Sequence, residues 1–450
     1  MSWLSLKHEI DAAAYHNQSH NDQYQFGDDV PFSVHIIGDV FCDIITQVPV
    51  SGINIGGDTL AKIKQVPGGS ALNVACHLEA NSYERMGPDL GLDLRTSLYS
   101  MVGDDPNGAF CIEALIAAGV IYQHKVTVSE IGTCTGTCIV LSGADGRSFI
   151  TDSGPLVEEM VLKKSETWDE KKKRIRMDDY DLEPCIRSDP GICMDDLIRT
   201  HHLHLSGFYN CRGLKEGKIN VVELFKQAKV NKVTTSLIPQ DDAHGKWDGL
   251  KEVCPYMDIL IANEHEIINI AKKQIEADAA AGNIGDSSDS GESKNKNKRR
   301  KISGGDESKS KSKGKGGDES KSGVELSMSM SMLAEEILRW GCGTVVVTQG
   351  PKGASAFYLK GKKGNKGNKG DTRELVEEKC AAPKMTAEEI VDTTGAGDAF
   401  AAGFLAGMIE ARCSEGEVGE TVVLRRCLTR GCAAGSDACR YIGGSANKHT

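Results

Sequence analysis

The sequence contains no uninterrupted apolar run long enough to cross a bilayer. Its first ten residues, Met1–Ile10, carry charge where a secretory leader would have an apolar core. Neither export nor membrane insertion is expected, and the cytoplasm is the expected location. There is also no C-x-x-C pair among the 15 cysteines. Cys134/Cys138 and Cys427/Cys432 lie nearest to one another, and neither pair has histidines at zinc-ligand spacing. An odd number of scattered cysteines fits reduced, mostly buried thiols better than a disulfide framework. Apolar residues make up only 39% of the 450, so part of the length is expected to lie outside any core. Basic charge is in deficit as well. A net charge of -11 argues against general or specific nucleic-acid binding by the whole protein. Finally, no G-x-G-x-x-G follows the first candidate strand, Val34–Ile37, which speaks against a nicotinamide-dependent dehydrogenase.

What is present is concentrated near the C-terminal end. Val391-Asp392-Thr393-Thr394-Gly395-Ala396-Gly397-Asp398 is a loop rich in glycine and hydroxyl groups. It runs into Ala399–Leu405, small and apolar, with Phe400 and Phe404 on one helical face. A glycine loop at a helix start offers N–H groups the helix cannot use, and with the helix dipole these suit an anion such as phosphate. Asp398 stands where that anion would lie, and phosphate repels a carboxylate. Taking a proton from an attacking hydroxyl is a reason for it to be there. The alternative is a glycine-rich turn capped by Asp398.

This stretch resembles the signature of the ribokinase-like (PfkB-type) carbohydrate kinases, D-T-x-G-A-G-D followed by a helix of small residues. The rest of the chain carries further elements. Val34–Gly38 reads as a first strand leading to Asp39 and Asp43, two acids at a strand end that suit either a ligand crevice or turn caps. Gly68-Gly69, with Asn73 shortly after, lets backbone approach a ligand closely and offers an amide to a hydroxyl, although a plain strand–turn–helix connection reads the same way. Gly103, Asp105 and Gly108 fit a G-x-D-x-x-G common in the family. Thr133–Ile150 reads as a hairpin around Ser142–Gly146, and with Ile44–Lys64 it would form a small β lid that keeps water from the reacting phosphate. The histidines of His201–His204 have no adjoining acids or cysteines and are read as a strand end. Asn263 and Glu266 follow a buried strand, either as magnesium support or as a helix N-cap with acids in its first turn. Thr344–Thr348 with Gly350 and Gly353 is another strand ending in a crevice-edge loop.

The expected organisation is a flexible extension over 1–30, a first part of an α/β domain with the lid over 31–271, a disordered low-complexity insertion over 272–331, and the remainder over 332–450. The insertion is rich in Ser, Lys, Gly, Asp and Glu and repeats Gly-Gly-Asp-Glu-Ser-Lys-Ser at Gly304 and Gly316. Its basic run Lys294–Lys301 suits an import receptor, which would add the nucleus as a location, or is a solvated charge run.

The resemblance spans roughly Val34–Gly444 outside the insertions. It implies a mostly parallel sheet flanked by helices with a small β lid, and ATP-dependent phosphorylation of a hydroxyl on a sugar or nucleoside. Asp398 would be the base, and Gly395, Ala396 and Gly397 the anion hole. Asp43, Gly68, Gly69 and Asn73 would hold substrate. Asn263, Glu266, Thr348, Gly350 and Gly353 would hold ATP, with Glu266 reaching Mg2+ through water. Asp392 and Thr394 match a loop that binds a monovalent cation such as K+ in some relatives, and a homodimer through the lid is a further expectation. Two departures stand out: no acid occupies the position of Ile238, where several sugar kinases carry one, and little chain follows Gly444. A non-catalytic binding protein of the same fold is the alternative outside enzymology.

Overall fold

A computed structural model describes residues 32–85, 94–121, 125–129, 131–143, 146–164, 191–285, 328–361, 373–413 and 419–445. The expected N-terminal extension, the basic run Lys294–Lys301 and most of the insertion lie outside these residues.

Strands β1 (Phe32–Gly38), β2 (Phe41–Gln47) and β3 (Lys62–Gly68) precede helix α1 (Ser70–Arg85). Strand β4 (Leu94–Val102), helix α2 (Pro106–Ala118) and strands β5 (Val126–Val128), β6 (Thr137–Gly143) and β7 (Gly146–Asp152) follow. After a short parallel pair, β8 (Leu162–Lys163) and β9 (Ile192–Cys193), the chain enters β10 (His202–Ser206), α3 (Val221–Val230), β11 (Thr234–Ile238), β12 (Ile259–Asn263) and α4 (Glu264–Gly285). It closes with α5 (Met330–Trp340), β13 (Thr344–Thr348), β14 (Ala354–Lys360), β15 (Glu374–Cys380), α6 (Ala396–Cys413) and α7 (Glu420–Ala438).

Nine strands form one sheet in the order β15-β14-β13-β12-β11-β10-β1-β4-β5. It is parallel from β13 to β5, while β14 and β15 add an antiparallel edge. The expected architecture is the observed one. Alternation along β1 sends Ile37 to one apolar layer and Val34 and Ile36 to the other, so each face of the sheet carries its own core. The second layer holds α1 and α6, whose Ala399, Ala401, Ala402, Phe404 and Leu405 are all buried. Fully burying a side chain such as Phe404 contributes about 1.5–3 kcal/mol.

The lid is a separate sheet, β3-β2-β6-β7. It includes the expected hairpin β6–β7 and, in β2–β6, a parallel pair. Gly103, Asp105 and Gly108 fix its base. Asp105 caps α2 by accepting from Gly108 N and also accepts from Thr135 N (2.7 Å) and Thr135 Oγ1 (2.6 Å), just before β6.

One boundary differs from expectation. The helix entered at Glu264 does not stop near Lys272 but continues to Gly285. Lys, Glu, Gln and Ala are good helix formers, and a polar composition there marks a solvated helix. The chain resumes at Met328, and Ser329 caps α5 through Met332 N. No helix among the described residues is long and apolar enough to cross a membrane.

Candidate active site

The chain folds so that β1, β10, β11, β12 and β13 all end on one side of the sheet. Between β1 and β10 the direction of winding reverses, since β1 is followed outward by β4 on one flank and by β10 on the other. A cavity of about 700 Å³ opens there, beneath the lid. Asp39 follows β1, Asn210 follows β10, Gln240 follows β11, Asn263 and Thr348 end β12 and β13, Thr393–Gly395 come from the loop before α6, and Gly397 and Asp398 from its first turn.

Asp398 lies in the first turn of α6 and is buried. Its Oδ1 accepts from Ser70 Oγ at 2.6 Å and from Gln240 Nε2 at 3.3 Å, and its Oδ2 accepts from Asn73 Nδ2 at 2.9 Å. Burial pushes its carboxyl up to about 7, against the pull of Ser70 and Asn73. A carboxylate poised near neutrality and aimed into a cavity is the state a general base needs.

Three more buried acids share the cavity. Asp43, on β2, is driven up to about 8 by burial, then by the charges of Asp39, Asp398 and Asp392. Its carboxyl lies directly against Gly68, where a side chain would collide with it. Gly69 has φ +91° and backs onto the Asp39 carbonyl, so this pair admits no larger residue. Asp39 accepts from Ala71 N (3.0 Å) and Asn210 Nδ2 (2.7 Å), and burial raises it to about 6. Glu266 is raised to about 8 by burial. Asn263 N donates to Glu266 Oε2 (3.0 Å), Asn263 Nδ2 donates to Oε1 (2.8 Å), and Glu266 N donates back to Asn263 Oδ1 (2.9 Å). The pair is therefore a reciprocal helix cap that also lines the cavity.

In the glycine loop, Ala396 N–H turns to the Thr393 carbonyl at 3.3 Å. No hydrogen bond among the described residues uses the N–H of Gly395, Gly397 or Asp398, and nothing lies within 4 Å of the space beside Gly397. Asp392 does not line the cavity. It accepts from Thr394 N (3.0 Å), Thr394 Oγ1 (2.8 Å) and Gly443 N (3.0 Å), while Arg147 of the lid donates to Thr394 Oγ1 (2.8 Å) and stands 3.8 Å from Asp392 Oδ1. Gly350 and Gly353 sit in the turn between β13 and β14 and do not line the cavity, whereas Thr348 does.

Local sequence does not mark Ser70, Gln240 or Asn210 as contributors, and it gives Asp39 no definite role. Ser70 left a trace, since it lies three residues before Asn73 and so shares its helix face. Gln240 and Asn210 left none, because their partners are remote in sequence.

The arrangement suits an Mg-bound phosphate ligand. N–H groups of Gly395, Gly397 and Asp398 that no hydrogen bond among the described residues uses line the cavity at a helix start, while Asn73 Oδ1, buried without a partner, can only accept and so suits a hydroxyl rather than the phosphate. Both Glu266 oxygens also keep a lone pair for water around a hard cation.

Fold and cavity together define an α/β architecture with a ligand crevice beneath a lid. The chain matches the pfkB family carbohydrate kinase over residues 33–179 and 330–450, more than half its length, and it belongs to that family. No curated protein matches it. Among solved structures it is similar to Giardia lamblia ribokinase (15% identity, TM-score 0.58, covering 92% of this chain and 96% of that one). Sinorhizobium meliloti adenosine kinase follows (17%, 0.55, 92% and 96%), as does Arabidopsis thaliana ribokinase complexed with ribose and ATP (17%, 0.53, 92% and 94%). At these identities the likeness is one of fold.

Proposed function

We propose that the protein transfers the γ-phosphoryl group of ATP to a hydroxyl of a small sugar or nucleoside, with Asp398 as the general base. The observation that carries this reading is the Asp398 carboxylate, buried at a helix start between unused N–H groups and a cavity. ATP with Mg2+ supplies the electrophilic phosphoryl group and its charge neutralisation. Asn263, Glu266 and Thr348 hold that end of the cavity, with Gly350 and Gly353 shaping the turn behind Thr348. The N–H groups of Gly395, Gly397 and Asp398 receive the phosphoryl oxygens. Asp43, Asp39 and Asn210 accept from or donate to the acceptor's hydroxyls, and Asn73 Oδ1 accepts another. Four acids around one cavity favour a neutral polyol, whose hydroxyls are donors, over an anionic acceptor.

Arg147 supplies a positive charge beside Asp392 and Thr394, so a monovalent cation there would have to displace it. Work in the cytoplasm, import through Lys294–Lys301 and pairing through the lid belong to the same proposal.

Two measurements test it. An ATPase-coupled screen over ribose, fructose, 2-keto-3-deoxygluconate and adenosine identifies the acceptor, and a protein that only binds would give no turnover with any of them. On that acceptor, Asp398→Asn keeps the size of the side chain and removes the basic oxygen. Its kcat should fall about a hundredfold to ten-thousandfold with ATP affinity kept. Near-wild-type turnover would refute the mechanism.

A further inference from the structure

Behind Asp398 a line of buried polar side chains leaves the cavity and crosses the sheet. β10 carries His202, His204 and Ser206 at alternate positions, and β11 places Thr234 and Ser236 beside the two histidines. They face the layer of α1 and α6, because their β1 partners Val34 and Ile36 belong to it. All five are at most 2% exposed, and none lines the cavity. A parallel strand buried on both faces is ordinarily Val- and Ile-rich, and buried polar atoms are costly unless every one is satisfied.

Here the satisfaction is continuous. Asp398 Oδ1 meets Ser70 Oγ (2.6 Å), which meets Ser206 Oγ (3.1 Å), which meets His204 Nε2 (2.9 Å). His204 Nδ1 meets Ser236 Oγ (2.6 Å), Ser236 Oγ meets His202 Nε2 (2.7 Å), and His202 Nδ1 meets Thr234 Oγ1 (2.8 Å). Thr234 Oγ1 ends the line between Arg412 Nη1 (3.3 Å) and the His201 carbonyl (3.1 Å). Asp398 opens helix α6 and Arg412 lies in its last turn, so the chain runs the length of that helix beneath it.

The two ends permit two complete proton arrangements. With Asp398 ionised, Ser70 donates to it, Ser206 to Ser70 and His204 Nε2–H to Ser206. Ser236 then donates to His204, His202 Nε2–H to Ser236, Thr234 to His202, and Arg412, which can only donate, to Thr234. With Asp398 protonated every link from Asp398 to Thr234 reverses while Arg412 still donates, both imidazoles carry their proton on Nδ1, and Thr234 donates to the His201 carbonyl, which can only accept.

We propose that this chain is a proton path, resting on Asp398 as base, through which the carboxyl exchanges its proton with solvent water beside Arg412 without using the substrate cavity. In the loss direction Asp398 gives its proton to Ser70, and each link passes one proton on. Each ring gains a proton at Nε2 as it yields one from Nδ1, and Thr234 releases one proton to water. Uptake is the reverse, so one proton is exchanged and the chain keeps its own. Burial drops His204 to about 3 and His202 well below its ordinary value, so both rings stay neutral in either arrangement. The charged groups facing Asp398 are Asp39, Asp43 and Glu266, and the one facing the imidazoles is Arg412. A base enclosed by lid and substrates could by this route still be ionised before the alcohol is attacked.

The test is nitrogen NMR of histidine-labelled full-length protein across the titration of Asp398, with single His→Gln variants giving the assignments. His202 and His204 should carry Nε2–H at high pH and Nδ1–H at low pH, and Asp398→Asn should abolish the switch. Ser236→Ala, which cuts the chain midway, should uncouple His202 and lower kcat about tenfold, well short of losing the base. Both KM values should be unchanged, and Ser236→Thr should recover the rate. Imidazoles that hold one tautomer throughout, or a Ser236→Ala enzyme as fast as wild type, overturn the path. If Ser236→Ala does not fold, the wild-type spectra and Arg412→Met at the half-buried end decide. If no alcohol is phosphorylated, the base reading falls while the tautomers still report on the chain.

Discussion

The two ends of the cavity are built differently. At the end proposed for the nucleotide, Asn263 and Glu266 satisfy one another across three residues of one helix start. At the base end, Asp398 is held by Ser70, Asn73 and Gln240, which lie 328, 325 and 158 residues away in sequence. The first end forms whenever α4 forms. The second exists only when α1, α6 and β11 are assembled, so the basicity of Asp398 is a property of the whole fold.

The largest effect that separates the ends is expected from Ser70→Ala, which removes the closest donor to Asp398. The carboxyl, already raised by burial, should rise further. The limb of kcat that climbs with pH should then move to higher pH, with turnover at neutrality down about tenfold and KM for ATP unchanged. A limb that stays in place would mean Ser70 does not set the base. Asn263→Ala should act at the other end only. It removes the Nδ2 donor to Glu266 and the Oδ1 acceptor of the Glu266 N–H, leaving only the backbone N–H of residue 263 on that carboxyl, so KM for Mg-ATP should rise while the pH limb stays put. Leaving that buried carboxyl under-satisfied should cost about 1–3 kcal/mol in denaturant unfolding.

A smaller effect is shared by both ends. Asp39, Asp43, Asp398 and Glu266 are all raised, to about 6, 8, 7 and 8. Between about pH 4 and those values the folded protein holds protons that the unfolded chain has released, so its stability falls as pH rises through that window. The depressed histidines His35, His201, His202 and His204 act oppositely below about pH 7, so the acids are read above it: the Tm of ligand-free protein should be higher at pH 7 than at pH 8, and the reverse order would contradict the burial of these acids. The smallest effect is expected from replacing residues 286–327 by a short Gly/Ser linker. Folding and turnover should be kept, and loss of cooperative unfolding would tie the segment to the core.

The same contrast explains what could be read from the sequence. Asp398, its glycine loop and the apolar start of α6 were legible because loop and helix are contiguous. The sequence reads Asn263 and Glu266 as an N-cap or as magnesium support, and the geometry shows the cap, on a pair that also lines the cavity. Asp39 stood out as an acid at a strand end, but its partners Ala71 and Asn210 come from other elements, and no local pattern announces them. The histidines of β10 were rightly placed on a strand, whereas their serine partners on β11 become visible only through strand register. The polar composition past Lys272 predicts a break, but there it belongs to a helix that runs on to Gly285.

The order of the site along the chain has one more consequence. Asp39, Asp43, Ser70, Asn73, Asn263 and Glu266 all precede residue 286, while Thr348 and Asp398 both follow residue 327. A backbone cut between those points would give two fragments, one holding Asp39 and Asp43 and the other the proposed base, Asp398. Neither fragment could perform the chemistry alone, and activity would return only when β12 and β13 zipped together again. Fused to two other proteins, the fragments would turn an encounter between those proteins into phosphorylated product.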